Sequence, residues 1–192
     1  MPYRSGGEVP VLSGERVFLR PLTPADAEPM FECWSDAEVR LFSDLPDMPD
    51  PGAAAEMIRI LNGLSLTEDG LRWGIETHTG ELVGSCGLNW WQLEGAYRGE
   101  IGCELGRSYW GKGYMREAVA LMLGYAFRIM GLNRLEALTD PYNQRAGRLF
   151  QSLGFTLEGR LKQYRHTDRG FVDANMHALL REEWENLRGG ER

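Results

Sequence analysis

The stretch of residues 100–130 constrains the fold more than any other part of the chain. Residues 100–105 alternate apolar and polar side chains as a β-strand does, and residues 106–115 contain three glycines. From residue 115 to 130 the apolar side chains recur at helical spacing, and Gly131 follows where a helix commonly ends. A strand that passes through a glycine-rich turn into an amphipathic helix predicts a helix packed against a sheet.

The rest of the chain adds strands and helices around this segment. Helix starts are predicted after Thr23 and after Asp50, where an N-cap residue is followed by proline. Further strands are predicted at 16–20, 73–77, 82–88, 134–139 and 172–178, with 155–161 as a partner of the last, and a helix at 146–153. The class is α+β verging on α/β, with a mixed, mostly antiparallel sheet and helices on both faces. We expect one domain over residues 1–192, with about 1–14 as an N-terminal extension and 185–192 as a C-terminal tail.

Composition excludes several classes of function. The net charge of −7 and the pI near 5.1 disfavour nucleic-acid binding, which requires a basic face. Three cysteines without C-x-x-C spacing indicate neither a disulfide framework nor a zinc site, and they suit a reducing cytoplasm. The sequence contains no secretory signal and no run of apolar residues long enough for a membrane span, so no membrane partner is expected.

The glycine-rich turn at 106–115 is the best candidate for a binding site. Glycines let backbone N–H groups converge on a phosphate, and the helix that follows adds the positive end of its dipole. Arg107, Lys112 and Arg116 add positive charge in an otherwise acidic chain. The alternative is an ordinary loop with exposed cations. A nucleotide-binding P-loop is a third possibility, but Gly113 stands where that motif needs Ser or Thr to hold magnesium.

The sequence resembles the GNAT acetyltransferase superfamily, and within it the branch typified by the ribosomal-protein N-acetyltransferases RimJ and RimL. The resemblance runs nearly from end to end. It rests on the ordered segments ERVFLRPL (15–22), GELVG (80–84), IGCEL (101–105), YWGKGYM (109–115), LNRLEA (132–137), DPYN (140–143), LGFTLEG (153–159) and LLREEW (179–184).

This resemblance implies an acyl-CoA N-acyltransferase fold that uses acetyl-CoA and no metal. The backbone of Leu105 matches the strand residue that pairs with the pantetheine arm and polarises the thioester carbonyl, and Asn143 matches a residue that helps hold that arm. The remaining candidate residues for CoA binding lie in or beside the turn: Gly106, Arg107, Gly111, Lys112, Gly113, Tyr114 and Met115. Met115 replaces the family's usual Gly or Ala, so its side chain must pack away from the phosphates.

The resemblance also implies direct transfer of acetyl to an amine, for which a base must remove a proton. Glu104 is the best candidate because it lies on the strand beside the thioester, and Glu100 points to the same face of that strand. Cys103 also lies there, and we interpret it as a small core residue.

The usual proton donors to the departing thiolate are missing. Phe150 stands where many members have tyrosine, and Ala146 stands where the RimL-like branch has serine. Tyr142, Tyr164 or water are the alternatives.

Four residues in or after the predicted hairpin are candidates for the acceptor site, because the hairpin borders the acceptor cleft in the resembling fold: Trp73, Asn89, Trp90 and Trp91. The alternative for the tryptophans is a place in the core or an interface. The acceptor is expected to be a protein N-terminus or a small amine, and the protein a monomer or homodimer. A non-catalytic acyl-CoA sensor of the same fold remains the alternative function.

Overall fold

Residues 3–167 and 170–189 are described by the computed structural model, and their centre is a single eight-stranded sheet. The strands are β1 (Leu12–Ser13), β2 (Val17–Arg20), β3 (Leu71–Thr77), β4 (Leu82–Gln92), β5 (Arg98–Leu105), β6 (Arg134–Thr139), β7 (Thr156–Thr167) and β8 (Gly170–Leu180). Their order across the sheet is β1-β2-β3-β4-β5-β6-β8-β7. Adjacent strands are antiparallel except β5 and β6, which are parallel. The predicted mixed, mostly antiparallel sheet is confirmed.

Six α-helices accompany the sheet in the described ranges. They are α1 (Ala27–Ser35), α2 (Ala37–Arg40), α3 (Pro51–Thr67), α4 (Tyr114–Arg128), α5 (Gln144–Ser152) and α6 (Arg181–Gly189). Helix α3 begins as its sequence predicts, with the Asp50 side chain accepting a hydrogen bond from the Ala53 amide and Pro51 in the first turn. Helix α5 is capped by the side chain of Asn143 in the same way.

The helices cover both faces of the sheet. On one face, α4 packs against the inward side chains of β3, such as Leu71 and Ile75, and forms the larger core. On the other face, α1 and α3 form a second cluster that includes Met30, Trp34 and Ile58. The pattern of alternating strand residues and periodic helix residues therefore forms two apolar layers, one on each side of the sheet.

A helix that was not predicted lies near the end of the chain. Residues 181–189 form helix α6, which includes residues 185–189 of the expected C-terminal tail. Trp184 anchors this helix: it is buried and its ring centroid lies 5.3 Å from that of Phe127 on α4. The short helix α2 was also not predicted.

His177 links the sheet to α5 and makes stability depend on pH. Its ring packs beside Phe150 and its Nε2 lies 3.0 Å from the Thr139 hydroxyl. Burial lowers the pKa of His177 below its ordinary value of 6.5. The unfolded chain therefore binds the proton more readily, and stability should fall as pH drops below about 6.5. Denaturant titrations should find that this loss is reduced in His177→Gln and retained in His78→Gln, which changes an exposed histidine. An identical pH dependence in His177→Gln would contradict the assignment.

Candidate active site

A cleft opens where β5 and β6 separate. These parallel strands pair for only three residues, Arg98–Glu100 against Arg134–Glu136. Residues 101–105 of β5 therefore present one strand edge without a neighbouring strand in the described structure. A cleft of about 710 Å³ lies beside this edge, and it also reaches α2, the glycine-rich turn and α5.

The N-terminus of α4 forms one wall of the cleft. Gly111 and Gly113 line it and have left-handed backbone conformations, with φ of 73° and 81°. Gly113 is the N-cap of α4 and provides no side-chain hydrogen bond, so the first amides of the helix remain available to a ligand. Converging amides and the helix dipole together make this wall suitable for a phosphate.

Arg16 holds the turn in this shape. Its guanidinium donates to the Lys112 carbonyl at 2.8 Å and to the Glu117 carboxylate at 3.0 Å, and it lies over the Tyr114 ring. The strand β2 and the first turn of α4 are thereby connected around Gly113. Lys112 and Tyr114 are not among the residues that line the cleft, and the contribution predicted for them is through their backbone amides.

Three arginines give the cleft its positive charge: Arg116 on α4, and Arg145 and Arg148 on α5. The Arg145 guanidinium also stacks on the Trp110 ring at 4.2 Å. Arg145 and Arg148 were missed by the sequence analysis. Their signal was the i, i+3 spacing at the start of a helix that follows a candidate ligand-binding residue, Asn143.

The backbone of Leu105 faces the cleft. Gly106 donates its N–H to Val83 on β4 at 2.9 Å, and adjacent N–H groups of a strand point to opposite edges. The N–H and carbonyl of Leu105 therefore point to the open edge of β5. The carbonyl accepts a hydrogen bond from the Trp110 indole at 2.7 Å, which ties the turn to the end of the strand.

Glu104 lines the cleft, and its side chain lies on the face of β5 away from α4, towards α1 and α2. Its Oε2 accepts hydrogen bonds from the guanidinium of Arg72 and from the Ser85 hydroxyl, the latter at 3.0 Å. The Glu104 side chain is 14% exposed, and neither bond uses Oε1. A carboxylate fixed through one oxygen and accessible through the other can accept a proton from a molecule in the cleft.

Helix α2 and the residues after it complete the cleft on the Glu104 side, with Glu38, Val39, Phe42 and Ser43. Asp36 starts this helix by accepting hydrogen bonds from the Glu38 and Val39 amides. Its carboxylate also lies 3.5 Å from Nε of Arg107. Arg107, predicted to contact the cofactor, is not among the lining residues and connects the turn to the start of α2 through this contact.

Cys103 lines the cleft next to Glu104, but its thiol is unreactive. Burial raises the pKa of the Cys103 thiol to about 11. Only a thiolate is an efficient nucleophile, so this side chain is neutral and inert near pH 7.

Several predicted residues are not brought into the cleft. Glu100 lies outside its lining, and Asn89 donates to Oε1 of Glu100 at 3.0 Å. These two side chains pair with each other on the surface of the sheet. Gly106 also lies outside the lining, and its N–H bonds to Val83 on β4. Met115 and Asn143 do line the cleft. The side chain of Met115 is packed into the core.

Trp73, predicted to border the acceptor site, lies in the core. It is fully buried in the core on the α4 face, and its indole N–H donates to the Pro10 carbonyl at 2.7 Å. It cannot contact an acceptor. Trp90 and Trp91 lie at the far end of β4, outside the cleft lining, where Arg98 stacks on Trp90 and Tyr3 packs against Trp91.

The two positions where the usual proton donors are missing hold Phe150 and Ala146, and neither tyrosine named as an alternative donor lines the cleft. Phe150 is buried against Phe155, and Ala146 lines the cleft without a titratable group. Tyr142 and Tyr164 are 79% and 51% exposed, and neither lines the cleft.

No group of three His, Cys, Asp or Glu residues suited to a metal ion occurs among residues 3–167 and 170–189. In that part of the chain, no helix has both the length and the apolar character to cross a bilayer.

Comparison with known proteins identifies the family. A family model described as an acetyltransferase (GNAT) domain matches residues 16–156. The N-acetyltransferase p20 of Bacillus licheniformis, named as uncharacterized, is 37% identical over 171 residues, which is 88% of this chain and 96% of that protein. The [ribosomal protein uS5]-alanine N-acetyltransferase of Escherichia coli is 34% identical over 84 residues, covering 44% of this chain and 43% of its own.

A solved structure supports the same fold. Mycobacterium smegmatis RimJ, solved in complex with CoA-disulfide, superposes with a TM-score of 0.81 at 24% identity and covers 97% of both chains. The chain belongs to the GNAT acetyltransferase family, as its sequence resemblance predicted.

Proposed function

We propose that this protein transfers an acetyl group from acetyl-CoA directly to a primary amine, either a protein N-terminal α-amine or a small-molecule amine. The observation that carries the proposal is that the open edge of β5 and the uncapped N-terminus of α4 meet in one cleft. A long ligand with a phosphate at one end and an extended polar arm at the other fits these two features together.

The cleft residues suit coenzyme A. The amides of residues 111–116 would hold the pyrophosphate, and Arg116, Arg145 and Arg148 would balance its charge. The open backbone of Leu105 would pair with the pantetheine arm. The CoA-disulfide named with the RimJ neighbour supports the same ligand class. When bound, acetyl-CoA supplies an activated acetyl thioester and a thiolate leaving group.

We assign the steps of the acetyl transfer to three groups of the cleft. The Leu105 N–H donates to the thioester oxygen, where negative charge develops. Glu104 receives the proton of the amine through Oε1, directly or through water. Ala146 has no proton to give, and we assign the protonation of the departing thiolate to water. The neutral thiol of Cys103 supports a direct transfer without an acyl-enzyme.

The acceptor is proposed to enter beside α2. Glu38 and Glu104 give that end of the cleft negative charge, which favours a cationic amine. The name of the Escherichia coli relative, an alanine N-acetyltransferase acting on a ribosomal protein, supports a protein α-amine as one acceptor class. Three unpaired thiols suit the reducing cytoplasm as the compartment, with the protein as a monomer or homodimer.

Thiol release from acetyl-CoA, measured with a panel of peptides and small amines, tests the proposal, together with calorimetry of CoA and of Mg-ATP. We expect CoA binding and amine-dependent thiol release. CoA binding without turnover on any amine would favour a non-catalytic acyl-CoA sensor. Magnesium-dependent ATP binding without CoA binding would favour the nucleotide site.

The phosphate end has its own test in Gly113→Ala. A Cβ at Gly113 would lie 2.8 Å from Arg16 Nη2, and the left-handed φ penalises any L side chain by about 1–2 kcal/mol. Calorimetry should find CoA affinity reduced about tenfold. Gly124→Ala, on the same helix, is the matched control, because a Cβ at that position would meet nothing within 4 Å. Equal CoA affinity in both variants would contradict the phosphate assignment.

A further inference from the structure

Arg72 is an arginine in the interior of the sheet. It lies on β3, is 6% exposed, and points to the face that carries Glu104. Gly87 on β4 and Gly102 on β5 are its neighbours across the strands. A Cβ at Gly87 would lie 3.0 Å from Arg72 Cδ, and one at Gly102 would lie 2.9 Å from Nη1. The two glycines are paired with each other across β4 and β5 and carry no side chains. They form a glycine track, along which the Arg72 side chain crosses the sheet.

The track ends at the cleft. The Arg72 guanidinium donates to the Glu104 carboxylate through Nη2 and to the Ser85 hydroxyl through Nε at 3.2 Å, and that hydroxyl donates to the same Glu104 oxygen. Three side chains on three adjacent strands thus form a closed triangle. A buried ion pair is seldom more stabilising than apolar residues of similar volume, so its position at the cleft wall points to a functional role.

We infer that Arg72 is a positioning residue for the acceptor end of the active site. With Ser85, it orients the Glu104 carboxylate so that Oε1 meets the amine, and it keeps that carboxylate ionised. The inference rests on the proposed function insofar as Glu104 is the group that meets the amine.

The surroundings make Arg72 the group that determines the charge state of Glu104. It is the one cation within 4 Å of Glu104 in the part of the chain that the structure describes. Cys33 on α1 lies in the cluster on this face of the sheet, and burial raises the pKa of its thiol, so it is neutral near pH 7. Glu38 on α2 is the other acidic residue of the cleft lining. Loss of the guanidinium would leave Glu104 without a cation within 4 Å in the described residues and with the Glu38 carboxylate in the same cleft lining.

Arg72→Met tests the inference, because methionine fills most of the track without charge. We expect kcat to fall about tenfold or more, and the acid limb of the kcat/KM profile to move to higher pH, because loss of the cation disfavours the carboxylate. CoA affinity should stay unchanged, because the proposed phosphate-binding amides are those of residues 111–116 at the N-terminus of α4. Arg72→Lys, which restores the charge, should return the acid limb towards its original position. Arg134→Met is the matched control, since it breaks the Arg134–Glu158 pair on β6 and β7.

A measurement without substrate separates this inference from the proposed function. NMR titration of the labelled Glu104 side-chain carboxyl in the free protein should find its midpoint at higher pH in Arg72→Met and unchanged in Arg134→Met. Absence of turnover in the wild-type protein would refute the proposed function and leave this readout intact. If Arg72→Met lowers stability but moves neither the titration nor the pH profile, Arg72 is a structural brace and the inference is overturned.

Ser85→Ala keeps the inference testable if Arg72→Met does not fold. This variant removes only one hydroxyl from the triangle. The Glu104 titration should shift in the same direction by a smaller amount, and kcat should fall several-fold. An unchanged titration and an unchanged kcat in Ser85→Ala would overturn the inference.

Discussion

Glu104→Gln is expected to lower kcat for amine acetylation by on the order of 10²-fold, the usual loss when a general base is removed. The amide of glutamine still accepts hydrogen bonds from Arg72 and Ser85, but it cannot take a proton from the amine. CoA affinity should change little, because the phosphate wall is formed by residues 111–116. Steady-state kinetics with the best acceptor from the amine panel and CoA calorimetry measure the two effects separately.

Glu100→Gln is the matched control for this experiment. Glu100 lies four residues earlier on the same face of β5, about 13 Å away by strand geometry, and is held by Asn89 outside the cleft. It should retain nearly full kcat. Thermal unfolding of each sample checks that Arg72 has not destabilised the Glu104→Gln protein. A folded Glu104→Gln variant with wild-type kcat, or an equal loss in Glu100→Gln, would refute the assignment of the base.

The sequence predicted the elements that carry a strong local signal. Helix α4 has a full apolar stripe and a glycine stop, so it was found close to its observed bounds, and the strand predicted at 134–139 coincides with β6. Helix α6 was missed because its apolar signal is weak: Trp184 and Leu187 are its two large apolar side chains in a charged segment. A short helix with such a sparse pattern is stabilised by tertiary contacts, which no local window contains.

The candidate site was predictable on its phosphate side and much less so on its acceptor side. The glycine turn and the start of α4 are contiguous in sequence, so their joint chemistry can be recognised locally. The cleft itself depends on where β5 and β6 stop pairing, which is a property of two strands separated by a helix. Arg72, Ser85 and Glu104 meet through the strand register, and helix α2 reaches the cleft through the packing of α1. These relations are set by tertiary structure.

Trp73 illustrates how the alternation of a strand can correct a resemblance. Leu71, Trp73 and Ile75 alternate with Arg72 and Gly74, and all three of the apolar side chains are fully buried on the α4 face. This period is the sequence signal that would have indicated a core position for Trp73. The family hairpin suggested an acceptor role for Trp73, whereas the side-chain direction within that hairpin excludes it.

Trp73→Ala is therefore expected to reduce the free energy of unfolding by about 3–5 kcal/mol, the range for removing a large buried aromatic side chain. The loss combines a cavity beside the Tyr125 ring, whose centroid lies 5.7 Å away, with the lost hydrogen bond to Pro10. Trp73→Phe should lose less, because it keeps most of the apolar volume and gives up the indole N–H. Denaturant titrations at one pH measure these differences.

Trp90→Ala provides the comparison that separates a core role from an acceptor role. Trp90 is partly exposed near the end of β4, where it stacks with Arg98, so its removal should reduce stability by less than about 1 kcal/mol. At a temperature where the Trp73 variants are folded, their KM for the amine should match the wild-type value. A stable Trp73→Ala protein with a raised acceptor KM would restore Trp73 to the acceptor site, and it would also require β3 to present its opposite face to the cleft.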